Sequence, residues 1–309
     1  MNIKKLIKIT FSVIIIIVLA YLIHDNYYII INKVEYIYSK YFQKDIIQTL
    51  NDNDYRKKVN YEFVKLNTDT NIKNIDDAKN AIYTFLDAGW NEYTVKCDAD
   101  YLSCTDNVKS IVENNTYLTD LSNFVHPFNT FENINTTFTS TGRITLKRKN
   151  RYNEDQINKI NEKINEIYNN NYDQNKSIVD NIKIFHDYII NNTKYDTENV
   201  TGSSSLNSST AYGVLFNGVG ICSGYTDAMQ LFLEKLNVKN YRISSNTHVW
   251  NLVFIDGKWL HLDLTWDDPI SSNGIDSISH DYFLIDTAKL ESLSDEEHKF
   301  NKEIYIEAK

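Results

Sequence analysis

The sequence predicts an α+β protein. Its core is a helix that starts at a cysteine and packs on an antiparallel sheet, preceded by a small α+β domain and an N-terminal membrane helix. Three observations predict this. An uncharged run, ITFSVIIIIVLAYLI, occupies residues 9–23. Helical and alternating apolar periods are interleaved through the first half of the remaining chain. In the second half, GVGICSGYTDAMQLFLEKL places Cys222 in a glycine-rich turn ahead of helical spacing, and HVWNLVFIDGKWLHLDLTWDDP reads as a hairpin. The 309 residues allow one large domain or two modest ones. We divide them into an N-terminal anchor (1–31), a stalk (32–73), a small α+β domain (74–170) and a C-terminal domain (171–309). The 42% hydrophobic and 24% charged residues are the balance of a globular chain. A net charge of -9 without a long basic run argues against a nucleic-acid partner, because phosphate binding needs clustered Lys and Arg.

Lys4, Lys5 and Lys8 precede the apolar run. A spanning helix needs roughly 17 to 25 apolar residues, and Leu6, Ile7 and YYIII after Asp25 extend the stretch towards that length. A cleaved signal peptide, cut near VLA at 18–20, is the alternative. Either reading leaves the basic end in the cytoplasm and takes the chain out of it. The stalk that follows is polar and tyrosine-rich.

In NIDDAKNAIYTFLDAG, Asn74 suits a helix cap, Asp76 and Asp77 suit the positive helix end, and Gly89 suits the stop. Ala78, Ile82, Phe85 and Leu86 share one face. EYTVKC alternates as a strand, TDNVKSIVENN reads as a short helix, and FENINTTFTSTGRITLKRK as one or two strands. NEDQINKINEKINEIYNN is an amphipathic helix with Ile157, Ile160, Ile164 and Ile167 on one stripe. Cys97 and Cys104 are close enough in sequence to pair outside the cytoplasm, or to remain two small unpaired residues. Cys222 is then the odd thiol.

SIVDNIKIFHDYIINNTKYD is a helix with Val179, Ile182, Phe185 and Ile189 inward and with His186 and Asp187 near that face. A serine-rich loop, 201–213, leads to the cysteine. Gly218 and Gly220 allow a tight approach, and Tyr225, Met229, Phe232, Leu233 and Leu236 continue at helical spacing. A cysteine at a helix N-terminus has its thiolate favoured by free N–H groups and the macrodipole, and the same amides suit an oxyanion. An inert buried cysteine is the plainer reading of this segment taken alone.

Asp256-Gly257 is a preferred pair for a two-residue type I′ turn. Counting outward from it, Ile255 opposes Lys258, Trp250 opposes Asp263 and His248 opposes Thr265. Opposed residues share a face and the face alternates, so His248, Trp250, Asp263 and Thr265 point the same way. His248 and Asp263 become diagonal neighbours, roughly 7 to 8 Å apart at Cα. A three-residue turn would reverse that parity. His261 reads as a packed strand histidine, Asp267-Asp268 as a turn, and His126, His280 and His298 have no recognisable partners. Zinc on Cys222, His248 and Asp263 lacks the paired-ligand spacing of such sites, and no loop has an EF-hand pattern. No metal or other cofactor is expected.

GVGICSGYTDAMQLFLEKL followed by HVWNLVFIDGKWLHLDLTWDDP resembles the bacterial branch of the transglutaminase-like superfamily, and FHDYIINNTKYD and AYGVLFNG resemble segments preceding the cysteine there. The resemblance covers roughly residues 175–285. It implies a papain-type fold in which Cys222 is the nucleophile, His248 the base and Asp263 the orienting carboxylate. The oxyanion or cleft side chain does not map cleanly; Tyr212, Asn217 and Trp250 are candidates. The implied activity is acyl transfer on a protein or peptide amide, by transglutamination or by hydrolysis, and a location outside the cytoplasm suggests cell-envelope or surface substrates. A binding module with a silent triad is the alternative. The 74–170 domain covering the cleft is a further expectation.

Overall fold

An N-terminal helix, α1 (Ile3–Asp25), carries the apolar run, and its large hydrophobic side chains from Val13 to Ile23 are exposed. The structure is a computed structural model that describes residues 3–27, 29–31, 33, 34, 37, 53–139, 142–197, 207–268, 278–293 and 296–309. Among the described residues no helix is long and apolar enough to cross a membrane. The expected membrane helix is therefore not shown.

The expected stalk is described from residue 53, and there it is fastened to the body. Lys57 Nζ lies 2.7 Å from Glu234 and donates to the Asn240 carbonyl, Arg56 Nε donates to Asp87 at 3.0 Å, and Val64 is fully buried. Burial pulls the Lys57 pKa down, with Glu234 opposing it. The polar residues of this stretch enter ion pairs, which composition alone cannot reveal.

The first sheet contains β1 (Asn71–Ile72), β2 (Glu92–Cys97), β3 (Phe131–Phe138) and β4 (Arg143–Asn150) in the order β1-β2-β4-β3. FENINTTFTSTGRITLKRK is thus two antiparallel strands. On the sheet lies α2 (Ile75–Asp87), whose cap Asn74 accepts from the Asp77 N–H, with Asp76 and Asp77 in its first turn. The single short helix expected next is two, α3 (Cys104–Val112) and α4 (Asn115–Ser122). Asn114 caps the second by accepting from the Tyr117 N–H. Cys97 and Cys104 form a disulfide, with Cα atoms 5.7 Å apart.

The second half opens with α5 (Glu154–Asn171), started by a capping box of Asn153 and Gln156. Ile160, Ile164 and Ile167 of its stripe are buried, and Ile157 is half-buried. Next come α6 (Ile178–Asn192), β5 (Lys194–Tyr195), β6 (Val219–Gly220) and α7 (Cys222–Lys235). The second sheet, ordered β10-β9-β8-β7, comprises β7 (Asn240–Ser244), β8 (Val249–Ile255), β9 (Lys258–Leu262) and β10 (Phe283–Ile285), and α8 (Thr287–Ser292) follows.

The strand period divides β8 between two cores. Trp250 and Leu252 join a cluster with Phe85, Leu121, Phe124 and Tyr305. Val253 and Ile255 join another with Ile160, Phe185, Met229 and Phe232, in which the Phe185 and Phe232 rings stack at 4.6 Å. Each such buried ring or aliphatic side chain contributes about 1.5–3 kcal/mol. Both cores draw residues from both sides of position 170.

Candidate active site

Helix α7 begins at Cys222, as the sequence suggests, with Ile221 at its N-cap position. The approach depends on two glycines. Gly218 has φ +62°, left-handed backbone that favours glycine. A Cβ on Gly220 would stand 2.7 Å from Val214 and 2.9 Å from the Tyr225 ring. From the serine-rich loop, of which 201–206 lie outside the described residues, Ser208 gives its carbonyl to the Ile221 N–H and Ser209 to the Ser223 hydroxyl. Cys222 remains half-buried and is the free cysteine.

The short parallel pairing of β5 with β6 sets Tyr195 opposite Gly220. Burial, followed by the nearby Cys222, pushes its phenol up to about 12, with the Cys222 backbone opposing. The sequence reading missed Tyr195 because a two-residue strand has no measurable period. The expected oxyanion candidates lie differently. Tyr212 stacks on Phe216 at 4.6 Å and interacts with Lys159. Asn217 is exposed at the end of a π-helical turn, Gly213–Asn217. Trp250 is buried behind the imidazole, stacked on His248 with centroids 5.6 Å apart. It backs His248 rather than lining a cleft, because the same strand face that brings it beside His248 turns it into the core.

The hairpin has the expected register. Ile255 pairs with Lys258 and the ladder runs to Asn251–Leu262, around a turn in which Asp256 has φ 50° and Gly257 φ 81°. His248 and Asp263 sit just beyond the ladder's open end. The Asp263 N–H bonds to the Tyr282 carbonyl, and the His248 N–H to Ser245 Oγ. Their side chains meet, His248 Nε2 to Asp263 Oδ2 at 2.5 Å. The other oxygen, Oδ1, accepts from the Thr265 N–H at 2.9 Å and the Thr265 hydroxyl at 2.6 Å. Burial alone would lower the His248 pKa. The charge and hydrogen bond of Asp263, then the nearby Cys222 side chain, outweigh it and raise the pKa to about 10. Burial pushes Asp263 up, yet His248 and His298 hold its carboxyl well below the usual range.

His298 is the second residue that sequence reasoning missed. Its Nε2 lies 2.8 Å from the same Asp263 Oδ2. Nothing in EEHKF signals this, because the contact spans 35 residues. His261 is packed as expected, its Nδ1 accepting from Trp250 Nε1 and its Nε2 bonded to Thr287, and burial pulls it down to about 3. His126 Nδ1 accepts from the Phe128 N–H.

His186, fully buried, lies between Asp187 at 2.9 Å and Asp267 at 3.2 Å, and His280 reaches Asp187 at 2.7 Å. Asp267 also accepts from the Tyr282 N–H, which makes the expected turn a structural clamp. Pro269 of that turn lies outside the described residues. His186, Asp187 and His280 form one group whose donor atoms lie within 4.8 Å, and His248, Asp263 and His298 form another. In the first, Asp187 also holds the Lys183 cation; in the second, both imidazoles spend Nε2 on one carboxylate oxygen. Hydrogen bonds and ion pairs account for both.

No curated protein matches the chain. Among solved structures it is similar to a TGase, 17% identical over 49% of this chain and 48% of that one, with a TM-score of 0.34. It is also similar to a candidate cysteine protease from Cytophaga hutchinsonii, 13% identical over 43% of this chain and 61% of that one, with a TM-score of 0.28. The chain spans about half the length of the first of these, and neither likeness bears on activity. The sequence match is local: residues 163–264, which include Cys222, His248 and Asp263, match the family model of the transglutaminase-like superfamily.

Proposed function

We propose that this protein is a thiol-dependent acyltransferase acting on protein or peptide amides, most simply of the transglutaminase type. One observation carries the reading. A half-buried free thiol starts a helix beside a buried imidazole whose pKa it helps to raise, and a buried carboxylate holds that imidazole from behind.

In this reading His248 takes the Cys222 proton and the thiolate attacks a carboxamide carbonyl. Backbone amides at the start of α7 steady the oxyanion. His248 returns the proton to the leaving ammonia or amine, and a thioester remains on Cys222. A primary amine resolving it gives transglutamination; water gives an amidase or protease. The acceptor depends on how far the cleft excludes water.

The decisive experiment offers a glutamine donor peptide with and without a primary amine, and follows ammonia release, amine incorporation and peptide cleavage. Amine incorporation lost in Cys222→Ala supports the reading. Absence of all three products, with Cys222 alkylated no faster than a free thiol, refutes it and leaves a binding module.

We further propose that residues 1–31 anchor the chain and that the remainder lies outside the cytoplasm, among envelope or surface substrates. The exposed apolar face of α1 and the Cys97–Cys104 disulfide support this. A C-terminal reporter active only in the cytoplasm would sink it.

A further inference from the structure

Asp263 is bound more fully than orienting one imidazole requires. Its Oδ1 is occupied by the Thr265 N–H and hydroxyl, and its Oδ2 faces both His248 Nε2 and His298 Nε2. His298 belongs to the C-terminal segment, beyond the matched residues 163–264, and is 5% exposed. Its ring is held by Trp250 at 4.8 Å, Trp266 at 5.1 Å and Tyr282, stacked at 4.9 Å. The segment itself is stitched down at both ends. The Thr287 N–H bonds to the Ala308 carbonyl, the Ala308 N–H to the Thr287 hydroxyl, and Tyr305 Oη to Asp120 at 2.6 Å.

We propose that His298 is a positioning residue that completes the site from outside the matched core. This rests on the reading of Cys222, His248 and Asp263 given above. Asp263 accepts with both oxygens, so the His298 contact requires an N–H at Nε2. That N–H fixes the carboxylate plane so that Oδ2 faces His248. It leaves the other nitrogen of His248 for Cys222. His298 acts only through Asp263. Among the described residues, the titratable groups around it include Asp263, His248, Tyr282 and, electrostatically, His261.

The test uses the full chain and three variants. His298→Gln keeps a donor where Nε2 lies. His298→Phe keeps ring packing without a donor, and His298→Leu removes both the ring and the donor while keeping an apolar side chain. The readouts are the titration of the His248 ring by NMR and the rate of Cys222 alkylation against pH, with thermal melting as the check of folding. Folded Phe or Leu variants should show a His248 proton affinity about tenfold lower. Their alkylation should be slower by about 10- to 100-fold, the scale of a hydrogen bond to a charged group, over a narrower pH plateau. Gln should restore both.

A wild-type titration and plateau in folded Phe or Leu variants overturns the proposal, as does a Gln variant that behaves like them. If Cys222 of the unmodified protein reacts no faster than a free thiol, the acyl-transfer reading fails instead. The His248 titration still decides the role of His298 in that case.

Discussion

Replacing Asp263 by Asn tests the electrostatics of the site directly. His248 is nearly buried, and desolvation alone would hold it neutral. Its pKa instead lies at about 10 against an ordinary 6.5, chiefly because of Asp263. At 1.36 kcal/mol per pH unit, that difference favours the imidazolium by roughly 5 kcal/mol. An amide supplies the same shape without the charge. In D263N the burial penalty then faces only the Cys222 contribution, so His248 should titrate near or below 6.5. The sign carries over to folding. A folded pKa above the unfolded value stabilises fully below pH 6.5, and the benefit fades as pH rises through about 10. Wild-type stability should therefore decline across that window, and D263N should lose much of the slope. NMR of the histidine ring protons, with denaturant unfolding at several pH values, measures both. A His248 in folded D263N that still titrates near 10 would show that Asp263 is not what charges it.

Three further perturbations address other parts of the structure. The Tyr195 phenol lies close to Cys222, where its hydroxyl can donate to the oxyanion; Tyr195→Phe should then lower acyl transfer by roughly 100-fold, the scale of one such donor, and an unchanged or faster enzyme would refute that role. Arg242 donates to Asp227 at 2.8 Å and to the Ser122 carbonyl, all buried, so Arg242→Met should cost about 3–5 kcal/mol by stranding the Asp227 charge, and denaturant unfolding reads the loss. Cys97 and Cys104 are seven residues apart, and replacing both with Ser should cost about 2.5 kcal/mol from the loop-closure relation, with no change in Cys222 alkylation.

Much of this arrangement was legible in the sequence, for reasons that differ by element. The β8–β9 register followed from Asp256-Gly257, because a two-residue turn fixes the parity of every opposed pair. Helix caps at Asn74 and Asn153 were local signals, and Asn74 was read as one. His298 and Tyr195 were not legible, since each acts through a contact distant in sequence that no periodicity records. The fastening of residues 53–73 was hidden for the same reason: Lys57 looks solvated until Glu234 is placed beside it. Trp250 was placed on the correct strand face, but the core that encloses it, with Phe85, Leu121 and Phe124, lies partly in the first half of the chain.

The Tyr305 contacts bear on the order in which the molecule is made. Asp120 and Ser244 are buried polar groups that both bond the Tyr305 hydroxyl, and Asn123 donates to it as well. Tyr305 lies 42 residues beyond Asp263. During synthesis, every other part of that knot and the whole Cys222–His248–Asp263 set have been translated before it arrives. Until then Asp120 and Ser244 lack their shared partner, and Asp263 lacks the His298 contact until shortly before. Buried polar groups without partners disfavour the closed structure. The thiol therefore emerges before the groups that complete its surroundings, so a nascent chain that stops short of Tyr305 carries Cys222 without the assembled site.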